Sequence, residues 1–229
     1  MAKIIFYFHA QDGQTQALIE SGKALADKQL FSAYQLAIMR PREQDLLAVP
    51  SNCDFLNSID MVLEIVAPFG QPIKRALVDV AEALQPVLEL IDKSHSYVLS
   101  AYHRTFQESG PKPIRYHYMM YRRDDYSRSD YLDYYVHSHY QFGVTTPLAD
   151  YYHNYIAPGD TQALASQLGI HPIKADNISE LRFDDLEKYL FSDTVREIGP
   201  KATADEEKFV NREISRSFSM DVLLDTRQY

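Results

Sequence analysis

The order of predicted elements constrains this chain more than any single residue does. It reads β-α-β-β-α-β and then repeats. Residues 3–9 alternate aromatic and β-branched side chains, the period-two pattern of a strand. Asp12-Gly13 makes a turn, and residues 14–29 read as a helix with Ala17, Leu18, Gly22 and Leu25 inward. Residues 34–39 form a second strand, stopped by Arg40-Pro41, and 61–66 a third. Pro72 suits a first helical position. After it Ile73, Leu77, Val80, Ala81, Leu84, Leu88 and Ile91 recur at helical spacing, with Pro86 expected to kink or split that helix. Residues 97–106 close the first unit.

The polar run Glu108-Ser109-Gly110-Pro111-Lys112-Pro113 is the strongest boundary signal, because glycine and proline punctuate structure locally. Beyond it the order starts again. Strands are expected at 114–122, 151–156, 178–183 and 218–224, with helices at 127–139, 185–192 and 203–212 and a short inserted helix at 159–168. The expected fold class is α+β: two ferredoxin-like domains, 1–109 and 111–229, each an antiparallel sheet with its helices on one face. The bare faces are association surfaces. They are expected to pack face to face and close a barrel around a cavity. Either one chain closes it alone as a pseudo-dimer, or two chains close it as a homodimer.

Composition narrows the partners. A net charge of −9 argues against phosphate-backbone binding and against docking on anionic lipid. The single cysteine, Cys53, excludes an intrachain disulfide and a cysteine zinc site. No apolar run reaches the roughly 18 residues a membrane span needs, and the N-terminal apolar run is too short for a signal peptide. These features point to a cytoplasmic protein whose partner is a small organic molecule. Glycine-rich phosphate loops, GxSxG and HExxH are absent.

Residues 118–140, YMMYRRDDYSRSDYLDYYVHSHY, hold the candidate site. Ser127 and Asp130 have capping-box spacing, and Tyr126 and Tyr131 the spacing of a hydrophobic staple. Tyr131, Tyr135 and His139 then share one helix face, with Tyr134 and Ser138 alongside. A histidine on a tyrosine-lined face is a candidate acid/base near neutral pH. A histidine hydrogen-bonded inside the fold is the alternative. His137 and His139 point opposite ways on a helix, so no joint metal site is expected. Alternation also puts His117 and Tyr121 on one face of their strand, and His153 and Tyr155 on one face of theirs. These four join Tyr131 and Tyr135 as candidate substrate-binding residues. Arg122-Arg123 suits a carboxylate or enolate, or the neighbouring Asp124-Asp125. No cofactor is expected.

Arg122-Arg123, Ser127, Tyr131, Tyr134-Tyr135 and His139 resemble the EthD domain family of the dimeric α+β barrel superfamily. Residues 177–183 and the run Asp205-Glu206-Glu207-Lys208-Phe209-Val210 resemble its third strand and the acidic segment before its last strand. The resemblance spans about 112–225; Tyr135 stands where the family has tryptophan, and the Gly-Pro after the histidine is missing. It implies a barrel protein acting on small organic molecules, in a superfamily with cofactor-free monooxygenases, isomerases and cyclases. In some members a histidine matching His139 moves a proton. The expected function is therefore a small-molecule enzyme acting on a partly aromatic or enolisable compound. It would be a lyase, isomerase, cyclase or cofactor-free oxygenase using His139 and tyrosines in the barrel cavity. A non-catalytic ligand-binding or accessory protein is the alternative.

Overall fold

The structure is a computed structural model and describes residues 2–26, 33–40, 45, 59–66, 80–146 and 148–227. Cys53, Pro72 and the helical positions Ile73 and Leu77 lie outside these. Among the described residues nine strands form one sheet. In the first half these are β1 (Ala2–Phe8), β2 (Ala33–Met39), β3 (Met61–Val66) and β4 (Tyr97–Gln107). In the second they are β5 (Ile114–Met120), β6 (Ala149–Ile156), β8 (Asn177–Phe183) and β9 (Arg216–Asp225). A two-residue strand β7 (His171–Pro172), which the sequence did not signal, runs parallel to the start of β4.

The spatial order in the first half is β2-β3-β1-β4, and in the second β6-β8-β5-β9. Each is the ferredoxin-like order. The halves meet edge to edge, β2 with β9 and β4 with β6, all antiparallel, so one chain closes an eight-stranded barrel by itself. Closure removes the exposed sheet edges that a lone half would present. Both long strands, β4 and β9, shift register where they cross to the other half. Such irregularities bend a strand and let a sheet close.

Helices cover the outside. In the first half α1 (Thr15–Ala26) buries Leu18, Gly22 and Leu25, while Ala17 is exposed, because the inward stripe is narrower than its spacing suggested. Residues 80–83 are helical and α2 (Gln85–Leu88) follows after a break at Leu84, so Pro86 splits the helix. Ile4, Phe6 and Phe8 pack against this layer, together with Leu164 and Leu168 of the inserted helix α5 (Pro158–Leu168). In the second half α3 (Arg128–Tyr134), a π-helical turn over Tyr135–His139 and α4 (Gln141–Val144) run across one side of the sheet. Beside them on the same face are α6 (Leu186–Leu190) and α7 (Asp193–Glu206). The last helix begins ten residues earlier than the expected 203–212. Ser192 caps it, accepting from Val195 N, and the chain leaves helical geometry before Phe209.

The barrel interior corrects one expectation: at its centre it is packed rather than hollow. Ile5, Val62, Leu99, Met119, Ile178 and Phe218 fill one layer. Beside it lies a buried charge cluster. Lys3 Nζ is 2.5 Å from Glu64 and 2.6 Å from Glu180. Arg115 Nη1 is 2.6 Å from Glu64, and Arg182 Nε donates to Glu180 at 2.6 Å. Asn154 Nδ2 donates to Glu180 at 3.0 Å. The Arg115–Glu64 contact is close yet not aligned as a directed hydrogen bond, so charge rather than donor geometry holds it. Buried ions are tolerated only when paired in this way.

Candidate functional site

The site is built on the α3 segment. Ser127 Oγ accepts from Asp130 N at 3.1 Å and satisfies a free amide of the first turn, as the capping pattern foretold. Tyr131, Tyr135 and His139 are all buried, so the shared face read from helical spacing is the inward one. The π turn sits at the histidine end. Such turns widen a helix locally and recur at functional positions. His137 points outward beside Asp133, away from His139.

His139 Nδ1 lies 3.0 Å from Asp205 Oδ2, near the end of α7. Asp205 Oδ1 accepts from Tyr134 Oη and Lys208 Nζ, each at 2.7 Å. Burial works to raise the Asp205 carboxyl, but its bonds to Lys208, His139 and Tyr134 outweigh that and hold it below the usual carboxylate range. An ionised carboxylate only accepts, so Nδ1 carries the proton. Burial pushes His139 below the ordinary histidine value, against the opposing pull of Asp205. The imidazole is therefore neutral at pH 7, and Nε2 keeps its lone pair. That nitrogen is 3.8 Å from Glu206 Oε1. Burial lifts the Glu206 carboxyl to about 7, with Arg212 and the bond from Tyr118 pulling the other way. A neutral base and a carboxyl that gains and loses its proton near neutrality thus stand side by side.

Both face a cavity of about 280 Å³ between the outer face of the second-half sheet and its helices. Tyr116, Tyr118, Tyr151 and Ser179 rise from β5, β6 and β8, and Val195 and Ile198 close the helix side. The result is an apolar space with a few convergent polar groups, the usual build of a ligand pocket. Burial raises both Tyr116 and Tyr118 above the ordinary tyrosine value, so they are neutral donors. Gly143 of α4 sets the wall, because a Cβ there would overlap the Tyr151 ring. The cavity lies outside the barrel, on the helix side of the sheet. The barrel interior, where the site was expected, is occupied by the packed layer and the ion cluster.

The other candidate residues fall into three places. Tyr131 and Tyr135 form the layer under the cavity. Tyr131 Oη donates to Asn177 Oδ1, and the Tyr135 and Tyr151 hydroxyls are 2.5 Å apart. His153 lies in that layer, its ring stacked on Tyr135 at 3.7 Å and its Nε2 against the Asn177 amide. Burial holds it well below the usual histidine value, hence neutral. Tyr155 packs edge-on against His153 and reaches a shallow surface depression instead. His117 is inside the barrel, its Nδ1 2.9 Å from Tyr7 Oη and its Nε2 3.1 Å from Glu64. Tyr121 is at the barrel mouth. Of the seven, His139 alone lines the cavity described above. Arg122 pairs with Asp176 at 2.5 Å and Arg123 with Asp125 at 2.9 Å, so neither guanidinium serves the cavity. Glu64, His117 and Glu180 place ligand-type atoms within 4.8 Å of one another. Lys3, Arg115 and Arg182 already occupy those carboxylates, and a metal ion would have to displace them.

Asp205, Glu206, Tyr118 and Arg212 are the site residues that sequence reasoning did not single out. The acidic run at 205–207 was visible as a motif. Its role follows only from the fold, which carries α7 back across the sheet to α3.

No protein-family model matches the chain, and no curated protein does. Solved structures match it along nearly its whole length. An anthrone oxidase-like protein superposes with a TM-score of 0.62 at 12% identity, covering 98% of this chain and 91% of that one. A monooxygenase candidate from Lactobacillus acidophilus gives 0.59 at 8% identity, covering 99% and 96%. Another from Fusobacterium nucleatum gives 0.55 at 6%, covering 100% and 98%. At such identities the likeness establishes a shared fold: this chain is an α+β barrel protein of the architecture those three proteins have.

Proposed function

We propose that this protein is an enzyme that moves a proton on a small aromatic or enolisable carbon acid held in the cavity beside His139. One observation carries the reading. His139 is oriented by Asp205 at 3.0 Å, and its free Nε2 stands 3.8 Å from Glu206 on the cavity wall. His139 Nε2 takes a proton from a carbon next to a carbonyl. The neutral hydroxyl of Tyr116 stabilises the enolate oxygen, while that of Tyr118 holds Glu206. Glu206, protonated about half the time near pH 7, returns a proton to the other end of the enolate, and His139 passes its own proton to Glu206 to reset the pair. The sequence is an isomerisation or the first step of a cyclisation, and it needs no oxidant. The neighbours named for monooxygenase and anthrone oxidase chemistry support a substrate with a fused ring and an acidic C–H. The strand, arginine pair, Ser127 cap and Tyr131-Tyr135-His139 helix support grouping residues 111–229 with EthD domains, beside a degenerate first unit at 1–109. A purely ligand-binding role is less favoured, because an oriented histidine beside a raised carboxyl adds little to holding an apolar ligand.

The test is solvent deuterium exchange into 1-indanone, 2-tetralone and anthrone, followed by NMR in deuterated buffer. The wild type accelerates exchange of at least one, and His139→Ala lowers that rate by about 10²-fold or more. Exchange of all three at the buffer rate, or exchange that survives His139→Ala, overturns the reading.

A further inference from the structure

Strand β5 has two faces, and each ends in a cavity. Tyr116 and Tyr118 line the one beside His139. Met119 and Tyr121 line a second, of about 630 Å³, at the barrel mouth. Its walls are the rings of Tyr97 and Tyr121 and the buried side chains of Met119 and Ile173. Lys174 and Arg216 supply its charge, and no carboxylate among the described residues lines it. That is notable in a chain of net charge −9.

Arg216 is only partly satisfied. Its Nη1 donates to the carbonyls of Glu213 at 2.7 Å and Ser215 at 2.9 Å. Its Nε is buried and has no acceptor. A buried donor without a partner is uncommon and calls for an explanation. A carboxylate in the cavity would give the Arg216 guanidinium an anionic partner. Lys174 is exposed and makes no ion pair among the described residues, so its charge is available at the same mouth. The aromatic and apolar walls call for a flat hydrocarbon body attached to the anion.

We propose that the barrel mouth is a second ligand site, separate from the His139 cavity, that binds an aryl carboxylate with its ring against Tyr97, Tyr121 and Met119 and its carboxylate on Arg216 and Lys174. The proposal stands apart from the proton-transfer reading, since no residue is shared between the two cavities.

The test is calorimetric titration of the full chain with benzoate, 2-naphthoate and biphenyl-4-carboxylate. At least one binds with a stoichiometry of one. Its affinity falls at least about tenfold in Arg216→Gln, which loses a charge-assisted pair, and about threefold in Lys174→Gln, which loses an exposed one. The matching neutral amide binds at least about tenfold more weakly than the carboxylate. His139→Ala leaves the affinity unchanged. No binding of any of the three, unchanged affinity in Arg216→Gln, or loss of binding in His139→Ala overturns the proposal. If Arg216→Gln does not fold, Lys174→Gln and the amide decide: equal affinity in both comparisons overturns it as well.

Discussion

Replacing Glu180 by glutamine tests the barrel interior without changing its volume. Glu180 is fully buried and faces Lys3 at 2.6 Å, Arg182 Nε at 2.6 Å and Arg115 at 3.5 Å. Burial alone would raise its carboxyl, but Arg182, Lys3 and Arg115 together hold it well below the usual value. Glu64 is then the carboxylate left in direct contact with Lys3 and Arg115. Removing one partner from a buried ion cluster costs about 3–5 kcal/mol. For a chain of this size that is a fall in melting temperature of about 6–20 °C. Thermal and urea denaturation followed by circular dichroism at pH 7 measure it. The pH dependence gives the sign independently. A carboxyl whose folded value is depressed stabilises above its unfolded value and loses that contribution as pH falls through the folded one. Wild-type stability therefore declines on acidification below about 4.5, the unfolded glutamate value, and the decline is shallower in Glu180→Gln. A stability within about 1 kcal/mol of wild type, or an unchanged acid slope, would refute the claim that paired charge holds the barrel centre.

Three further outcomes follow from the site. Asp205→Asn replaces the charged acceptor that orients His139 by a neutral amide able to present either its oxygen or its NH2, so the exchange rate falls by about 10–100-fold and the histidine titrates at lower pH, as seen in a pH–rate profile. Glu206→Gln removes a group lifted to about 7. A carboxyl raised on folding stabilises below its unfolded value and loses that contribution as pH rises, so this variant flattens the fall in stability between about pH 4.5 and 7. It also abolishes any limb of the rate profile near 7. Gly143→Ala drives a methyl into the Tyr151 ring, costing about 1–3 kcal/mol in denaturation experiments and weakening cavity ligands.

The element order and the inward face of the α3 segment were legible because each rests on local periodicity. Ser127, Tyr131, Tyr135 and His139 lie within thirteen residues, and their spacing alone puts the last three together. Strand faces were harder to read. In β5 both alternate sets are amphipathic, since Arg115 and His117 are buried against the carboxylates of Glu64 and Glu180, distant in sequence. A barrel lined with ions defeats the rule that polar residues face water. The place of the cavity was hidden for the same reason: whether the sheet's open face encloses space depends on how completely Ile5, Leu99, Phe218 and the ion cluster fill it. Asp205 and Glu206 stand 66 and 67 residues after His139, and only the return of α7 over the sheet joins them.

The most direct measurement of the site is the protonation state of His139, which needs no knowledge of the substrate. Nitrogen-15 NMR of histidine-labelled protein at pH 7, assigned through His139→Gln, reports each ring nitrogen separately. The expected result is a neutral ring with the proton on Nδ1, toward Asp205, and an unprotonated Nε2 facing Glu206 and the cavity. A ring protonated on both nitrogens at pH 7, or the opposite tautomer, would contradict the assignment of His139 as the base.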